Sequence, residues 1–158
     1  MESIDVIIEI PKNSRIKYEK DTKTMQIRCD RYLKTPFNYP YNYGYIPNTL
    51  APDNDPLDVF VLMEDSLYPG TIISVEIIGV IKMIDNGEED DKLIAIPSKN
   101  LNFPKKFTNK DNELYINYID EIKFFLKNYK KLENKVVEVN EYLKKIEAYK
   151  IINHCLLK

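Results

Sequence analysis

The chain has 158 residues, of which 44% are hydrophobic, and its 23 basic and 25 acidic residues nearly balance to a net charge of -2. This length and apolar content suffice for one hydrophobic core, so we expect a single domain spanning residues 1–158. The near balance of charge argues against a broad basic surface for nucleic acid or an anionic membrane, and no apolar run approaches the ~20 residues of a membrane span.

Cysteine and histidine are too scarce for several common kinds of site. Cys29 and Cys155 are the only cysteines, which excludes a disulfide framework or a cysteine-based zinc site. His154 is the only histidine, which excludes histidine-based metal or triad chemistry. The N-terminal segment lacks the basic start and apolar core of a signal peptide, so we expect a cytoplasmic protein.

The first half of the sequence alternates apolar and polar residues with a period of two, which predicts half-buried strands. Residues 4–10 form the first strand, with Glu9 opposite the isoleucines, and residues 15–19 form the second, with Lys17 and Glu19 on one face. Proline and glycine turns separate further predicted strands at 25–29, 59–63, 72–80, 80–84 and 93–96. Many short strands at this spacing predict a small OB-like β-barrel.

The second half changes to a helical period. Apolar residues at three- and four-residue steps predict a helix from about 113 to 131, with Asp111 or Asn112 as its N-cap. A strand at 136–139 follows, and the stripe Tyr142, Ile146, Tyr149 and Ile152 predicts a terminal helix capped near Asn140. The predicted fold class is α+β, mainly β, with two helices flanking the barrel.

The segment Asp53-Asn54-Asp55-Pro56-Leu57-Asp58-Val59 places three carboxylates within six residues before an apolar run. Carboxylates this close raise each other's pKa unless a cation neutralises them, and Mg²⁺ is the usual hard ion for aspartate oxygens. An EF-hand does not fit, because Leu57 stands at a ligand position and Asp58 at the required glycine. The loop therefore predicts a metal site.

A second acidic segment, residues 85–92, contains an Asn-Gly pair that favours a tight turn and brings Asp85 towards Asp90. Each acidic loop alone is more often a solvated turn, since turns favour Asp and Asn. Two such loops on one barrel, with basic residues between them, favour a shared carboxylate pocket.

Basic and aromatic residues could contact phosphate beside the predicted carboxylate pocket. Lys17, Arg31, Lys92 and Lys130 each stand beside acidic or aromatic residues, although a single Lys or Arg is usually solvent-exposed. Tyrosines recur at alternate positions from Tyr39 to Tyr45, where they could stack bases, bind phosphate or pack the core. Few cations lie nearby, which favours phosphate or carboxylate partners for Tyr39 and Tyr43.

Taken together, these segments resemble the soluble family I inorganic pyrophosphatases. The resemblance covers residues 6–133 and follows the family's order through Ile8-Glu9-Ile10-Pro11, Ile16-Lys17-Tyr18-Glu19, Asp30-Arg31, the tyrosine segment, the Asp53 loop, Lys82-Met83-Ile84-Asp85, Asp90-Asp91-Lys92 and Phe124-Phe125-Leu126-Lys127-Asn128-Tyr129-Lys130. Asn54 stands where glycine is common, and a small polar residue there also fits the signature.

The resemblance implies hydrolysis of inorganic pyrophosphate to two orthophosphates by a metal-activated water, with several Mg²⁺ ions in a carboxylate site. By position, it assigns the ions to Asp53, Asp58, Asp85 and Asp90, with Glu9 and Glu19 lining the metal pocket. It makes Asp55 the general base. It also implies the family's small barrel with flanking helices.

For the substrate, the resemblance assigns phosphoryl oxygens to Lys17, Arg31, Lys92, Tyr129 and Lys130. Tyr43 would hydrogen-bond near the nucleophile with Tyr39 in support, and Arg31 would stabilise the leaving phosphate through its planar two-point contact. A homo-oligomer, in bacterial members of this length a homohexamer, is implied as well. The alternatives are a two-metal phosphoesterase for a larger phosphorylated substrate and, least favoured, an OB-like nucleic-acid-binding module.

Overall fold

The computed structural model describes residues 3–104 and 113–158, which form nine β-strands and two α-helices. The strands are β1 Ile4–Ile10, β2 Ile16–Lys20, β3 Ile27–Tyr32, β4 Asn42–Tyr45, β5 Asp58–Val61, β6 Ile72–Asp85, β7 Glu88–Glu89, β8 Lys92–Pro97 and β9 Val137–Lys144. The helices are α1 Glu113–Asn128 and α2 Lys145–Cys155. The two residues expected to cap the first helix, Asp111 and Asn112, lie outside the described residues.

The main sheet closes on itself. Its strands are hydrogen-bonded in the order β1-β4-β5-β8-β6, and β6 pairs back with β1 to complete the ring. Every pairing in the ring is antiparallel except β5 with β8. Strands β2 and β3 form a separate hairpin. The predicted OB-like barrel with two flanking helices is therefore confirmed, and none of the described helices is long and apolar enough to cross a membrane.

The two strands predicted at 72–80 and 80–84 are one 14-residue strand, β6. It pairs with β1 and β8 along its first part and with β9 and β7 along its last part. Register shifts between Ile77 and Gly79 and between Ile81 and Met83 mark its irregularities. Such irregularities bend a strand without ending it, which is why the sequence suggested a break.

The predicted start of the terminal helix near Asn140 is wrong, because β9 continues to Lys144 and the helix begins at Lys145. Tyr142 belongs to this strand and covers Gly79, where an added Cβ would lie 2.2 Å from the tyrosine oxygen. The Tyr142 hydroxyl also donates to the Ile78 carbonyl at 3.0 Å. Pairing with β6 thus keeps this residue in a strand despite its helical spacing.

Helix α1 packs its apolar face onto an aromatic cluster inside the barrel. Phe125 lies 4.8 Å from Tyr39 and 4.7 Å from Tyr129, measured between ring centroids. Tyr43 packs edge-on against Phe60 at 4.8 Å. Burial of aromatic rings in such pairs stabilises the contact beyond its area alone. The cluster fixes the end of α1, and hence Tyr129 and the residue after it, next to strand β4.

Candidate active site

One cavity of about 680 Å³ gathers the predicted site residues. Its lining includes Glu9, Lys17, Glu19, Tyr39, Tyr43, Asp53, Asp55, Asp58, Asp85, Asp90, Lys92, Tyr129 and Lys130. Strands β1, β2, β4, β5, β6 and β8, the loop before β5 and the end of α1 each contribute. The fold therefore joins positions spread over most of the chain at one place.

The loop that carries Asp53 and Asp55 is shaped by its own backbone. The Asn54 amide donates to the Ala51 carbonyl at 3.0 Å, and the Ala51 amide donates to the Asp55 carbonyl at 2.8 Å. Asn54 has φ 67°, a left-handed conformation that Asn tolerates far better than most residues. This explains why asparagine can occupy a position where the signature often has glycine.

The base of the same loop is closed by a buried threonine. The Thr49 hydroxyl donates to the Ile46 carbonyl at 2.7 Å and accepts the Leu57 amide at 2.9 Å. The hydroxyl thus ties the residue that precedes Asp58 to the end of strand β4. Because these bonds are buried, they hold both ends of the acidic loop at fixed separation.

The second acidic segment forms the predicted turn. Asn86 and Gly87 have φ of 52° and 84°, and Asp85 pairs with Glu88 across the hairpin. The Asp90 amide donates to the Met83 carbonyl at 2.9 Å, which brings its side chain into the cavity. Asp53 and Asp90 lie close enough to influence each other's titration. The predicted convergence of the two acidic loops is therefore present.

Two lysines neutralise the carboxylates from within. The Lys92 ammonium lies 2.7 Å from Asp58 Oδ2 and 2.8 Å from Asp90 Oδ1, and it donates to the Tyr43 hydroxyl at 3.0 Å. The Lys92 side chain is only 3% exposed. A third ion pair joins Lys130 to Asp85. Cations and carboxylates thus alternate across the cavity wall.

The carboxyl groups of the cavity differ in how readily they ionise. Burial, with a smaller contribution from neighbouring carboxylates, raises the pKa of Glu9 to about 7 and that of Asp53 to about 6. Burial also raises the pKa of Asp58, against the opposing effect of Lys92. At Asp90, burial acts in the same direction, but the Lys92 charge and hydrogen bond outweigh it, so its pKa falls. Of these four carboxyl groups, Glu9 and Asp53 are therefore the two without a lysine partner this close among the described residues.

These groups fit divalent cations. Within the described ranges, no three His, Cys, Asp or Glu side chains are already close enough together to enclose an ion. Mg²⁺ keeps several of its waters and takes only one or two protein carboxylates at a time, so a spaced set of oxygen donors suits it. Asp85 Oδ1 is buried and has no hydrogen-bond partner among the described residues. This carboxylate oxygen is therefore available to coordinate a metal ion. The raised pKa of Asp53 is consistent with the same need for a cation.

Arg31 is the predicted site residue that the structure does not place in the cavity lining. Its guanidinium donates to Glu133 at 3.2 Å, while its Nε is buried without a partner in the described part of the chain. Strand pairing sets Arg31 opposite Lys17, which does line the cavity. The guanidinium is therefore beside the cavity wall, and its role in binding substrate stays a prediction.

Several cavity residues were not predicted from the sequence, among them Lys20, Thr22, Met25, Tyr45, Asn86, Glu88 and Lys135. For Tyr45 a signal existed, since it continues the alternation of Tyr39 and Tyr43. The fourth tyrosine of that series, Tyr41, instead donates a hydrogen bond to Glu121 of α1 at 2.8 Å. Alternation alone could not separate the tyrosine that contacts the helix from those that border the cavity.

Comparison with known proteins supplies the family. The family model described as inorganic pyrophosphatase matches residues 6–158. The chain belongs to the inorganic pyrophosphatase family. The match extends beyond residues 6–133, which carry the resemblance in sequence, so it also includes β9 and α2.

Relatives in sequence and in structure agree with this assignment. The inorganic pyrophosphatase of Halalkalibacterium halodurans is 44% identical over 155 residues, which cover 98% of this chain and 94% of that protein. The structure of the Helicobacter pylori inorganic pyrophosphatase matches with a TM-score of 0.91 and 37% identity, over 98% of this chain and 92% of that one. An N-terminally truncated Trypanosoma cruzi vacuolar soluble pyrophosphatase, solved in complex with PPi, matches with a TM-score of 0.85 and 26% identity, over 98% and 68% of the two chains.

Proposed function

We propose that this pyrophosphatase-family protein hydrolyses inorganic pyrophosphate to two orthophosphates with the help of several Mg²⁺ ions. The observation that carries the proposal is the cavity in which Asp53, Asp58 and Asp90 alternate with Lys92 and Lys130. Pyrophosphate is a compact polyanion that must be surrounded by cations. The carboxylates can hold metal ions for this purpose, and the lysines can contact the phosphate oxygens directly. Family membership points to the same substrate.

The carboxylates divide into holders of the ions and residues that surround them. Asp53, Asp58, Asp85 and Asp90 would hold the Mg²⁺ ions, while Glu9 and Glu19 line the metal pocket. When bound, Mg²⁺ neutralises phosphoryl oxygens and makes a water molecule a better nucleophile at neutral pH. Because ion binding requires ionised carboxylates, it favours loss of the protons that burial holds on Glu9 and Asp53.

Asp55 is proposed as the general base. It lies in the same loop as Asp53, whose carboxylate accepts the Asp55 amide at 3.1 Å, and its side chain borders the cavity. Pro56 follows it and restricts the backbone between Asp55 and Asp58. In that position, the Asp55 carboxylate can accept a proton from the attacking water while the neighbouring aspartates remain with the ions.

The cationic and phenolic groups would hold the substrate. Lys17 is partly exposed and lies 3.8 Å from Asp30, so its ammonium can turn to a phosphoryl oxygen. Lys92 and Lys130 would contact phosphate from their buried positions, with Tyr43 and Tyr129 as hydroxyl donors. Burial raises the pKa of both phenols, which keeps their protons available for donation at neutral pH.

Arg31 would stabilise the leaving phosphate after its guanidinium turns from Glu133 towards the cavity. The two-point geometry of the guanidinium suits two phosphate oxygens at once. Tyr39 would support this arrangement through its packing on Tyr43, at 5.3 Å between centroids.

We further propose a homo-oligomer, in the form of a hexamer, and a cytoplasmic location. The free thiols of Cys29, which is exposed, and Cys155, which is buried, suit a reducing compartment. Exposed large apolar side chains such as Tyr68 and Ile72 offer contact area for further copies of the chain.

The deciding experiment is phosphate release from pyrophosphate by the purified protein, with Mg²⁺ present and then removed by a chelator. We expect rapid release that stops on chelation and returns when Mg²⁺ is added back. An aryl phosphomonoester serves as the comparison substrate, and we expect little release from it. Release from the monoester but not from pyrophosphate would replace the proposal with the two-metal phosphoesterase.

A further inference from the structure

One hydroxyl group at the cavity has no partner. The Tyr45 phenolic oxygen is buried and forms no hydrogen bond with any residue in the ranges 3–104 and 113–158. The whole residue is only 8% exposed, and it borders the same cavity as Glu9 and Asp53. Native proteins leave few buried polar groups unpaired, because each one loses its hydrogen bonds to water without replacement. The unpaired phenol therefore indicates a hydrogen bond that forms when the cavity is occupied.

The backbone around Tyr45 fixes the position of this hydroxyl. In β4 the residue pairs with Ile7 of β1 on one side and with Asp58 of β5 on the other. Two positions earlier, Tyr43 occupies the same face and already has a partner, because its hydroxyl accepts a hydrogen bond from Lys92. The two neighbouring phenols thus differ, since only Tyr43 has a hydrogen-bond partner in the part of the chain that the structure describes.

Glu9 is the acidic group whose charge reaches Tyr45. Burial raises the pKa of the Tyr45 phenol, and the Glu9 carboxylate raises it further, so the phenol keeps its proton at neutral pH. Glu9 itself accepts one hydrogen bond, from the Lys20 amide to Oε2 at 2.9 Å. The carboxylate therefore has spare acceptor capacity, and it lines the same cavity as the Tyr45 phenol from the strand that pairs with β4.

We propose that Tyr45 is a positioning residue for the divalent cations, whose hydroxyl donates to the Glu9 carboxylate, directly or through one water, once the ions are bound. The inference rests on the proposed function, because it takes Glu9 as part of the metal pocket. A carboxylate has acceptor sites for both a cation and a hydrogen bond, so the buried Tyr45 hydroxyl on the neighbouring strand can orient Glu9 while an ion is held. Packing alone would not need the hydroxyl, since Phe would fill the same space and leave no oxygen unpaired.

The test compares Tyr45→Phe with the matched control Tyr41→Phe, which removes a hydroxyl from the same segment outside the cavity. The Kd of Mg²⁺ is measured by calorimetry without substrate, and Tm is measured with and without Mg²⁺. For Tyr45→Phe we expect a metal-free Tm equal to or above that of the unaltered protein and Mg²⁺ binding weakened about fivefold, the effect of losing one hydrogen bond. For Tyr41→Phe we expect a lower Tm, because its bond to Glu121 is lost, with unchanged Mg²⁺ affinity.

The inference is overturned if Tyr45→Phe binds Mg²⁺ within about twofold of the unaltered protein, because an effect that small is below the value of one hydrogen bond. A fall in metal-free Tm with unchanged affinity would show a purely structural role. Phosphate release by the unaltered protein is measured in parallel. If the unaltered protein releases phosphate while Tyr45→Phe keeps its Mg²⁺ affinity, the proposed function stands and only the role of Tyr45 fails. If the unaltered protein shows neither Mg²⁺ binding nor phosphate release, the proposed function is refuted.

Discussion

The Lys92 ammonium lies 2.7 Å from an Asp58 carboxylate oxygen, and both groups come from neighbouring parallel strands whose Cα atoms pair Asp58 with Lys92. The same ammonium lies 2.8 Å from Asp90. One buried cation thus joins the two acidic loops of the cavity. Burial opposes the charge on Lys92, but the carboxylates outweigh it and hold its pKa well above the usual range. The lysine therefore remains charged at neutral pH.

Replacing Lys92 with Met should destabilise the metal-free protein by about 3–5 kcal/mol at pH 8, because two buried carboxylates lose their shared cation. Added Mg²⁺ should recover part of this loss, since its charge replaces that of the lysine beside Asp58 and Asp90. Urea unfolding with and without Mg²⁺ measures the effect. Lys150→Met is the control, since the Glu147 pair it breaks is exposed and contributes about 1 kcal/mol at most. Equal losses in the two variants would contradict the role given to Lys92.

The titration of Glu9 predicts how stability without metal depends on pH. Its pKa of about 7 in the folded protein exceeds the ordinary value of 4.5. A carboxyl group of this kind contributes stability that is fully present below its unfolded pKa and is lost as pH rises through its folded pKa. The metal-free protein should therefore lose stability between about pH 5 and pH 8. Thermal unfolding across this range is the measurement, and Glu9→Gln, which cannot ionise, should show a flatter profile.

Local signals were sufficient for much of the fold and the site. The Asn86-Gly87 turn and the Asp53 loop are encoded within a few residues, so the sequence predicts their conformation and the convergence of their carboxylates. Contacts between residues that are far apart in the sequence could not be predicted from such local patterns. Tyr142 has the spacing of a helical residue, yet its ring packs over Gly79 of β6, and this contact keeps the residue in a strand. No pattern within residues 136–152 contains that information.

Contacts between distant residues also explain why some side chains in and beside the cavity differ from expectation. The family resemblance assigns Arg31 to the substrate site, but its guanidinium donates to Glu133, which is 102 residues away along the chain, and the residue is not in the cavity lining. Tyr45 shares an alternating pattern with Tyr41, and only the position of α1 shows that Tyr41 has Glu121 as partner. Which side chain keeps a free hydrogen-bonding atom is a property of the folded chain, not of residue spacing.

Asp55→Asn should abolish most turnover while leaving fold and Mg²⁺ affinity nearly unchanged, because it removes a proton acceptor but little volume. Asp58→Asn is the comparison, and we expect it to weaken Mg²⁺ binding, since it removes a buried carboxylate beside Asp90. Turnover and calorimetric Mg²⁺ affinity are measured for both variants. If Asp55→Asn lost as much Mg²⁺ affinity as Asp58→Asn, the separate roles of general base and ion holder would be wrong.

Thr49→Val should destabilise the protein by about 1–3 kcal/mol, because the Leu57 amide would be buried without its acceptor. Valine keeps the shape of threonine, so the loss reports on the hydroxyl. Denaturant unfolding gives the stability, and Mg²⁺ calorimetry shows whether the acidic loop has loosened. Thr49→Ser keeps the hydroxyl and should retain most of the Mg²⁺ affinity; a serine variant as weak as the valine variant would mean that the methyl group, and not the hydrogen bonds, supports the loop.

Met25 stands at the turn between β2 and β3 with φ 61°, a left-handed conformation that costs a residue with a Cβ roughly 1–2 kcal/mol. Its amide donates to the Asp21 carbonyl at 2.8 Å, which fixes this conformation, while its side chain is 64% exposed. Met25→Gly should therefore relieve strain and, after the added freedom of the unfolded chain, stabilise the protein by about 0.5–1 kcal/mol.

Urea unfolding without metal measures the effect of Met25→Gly, with Lys23→Gly as the control in the same turn. The backbone of Lys23 is not in a positive-φ conformation, so the added glycine should cost about 0.5–1 kcal/mol there. Opposite signs for the two variants are the expected result, because the same substitution relieves strain at one position and only loosens the unfolded chain at the other. Destabilisation by both would show that the contacts of the Met25 side chain at the rim of the cavity outweigh its backbone strain.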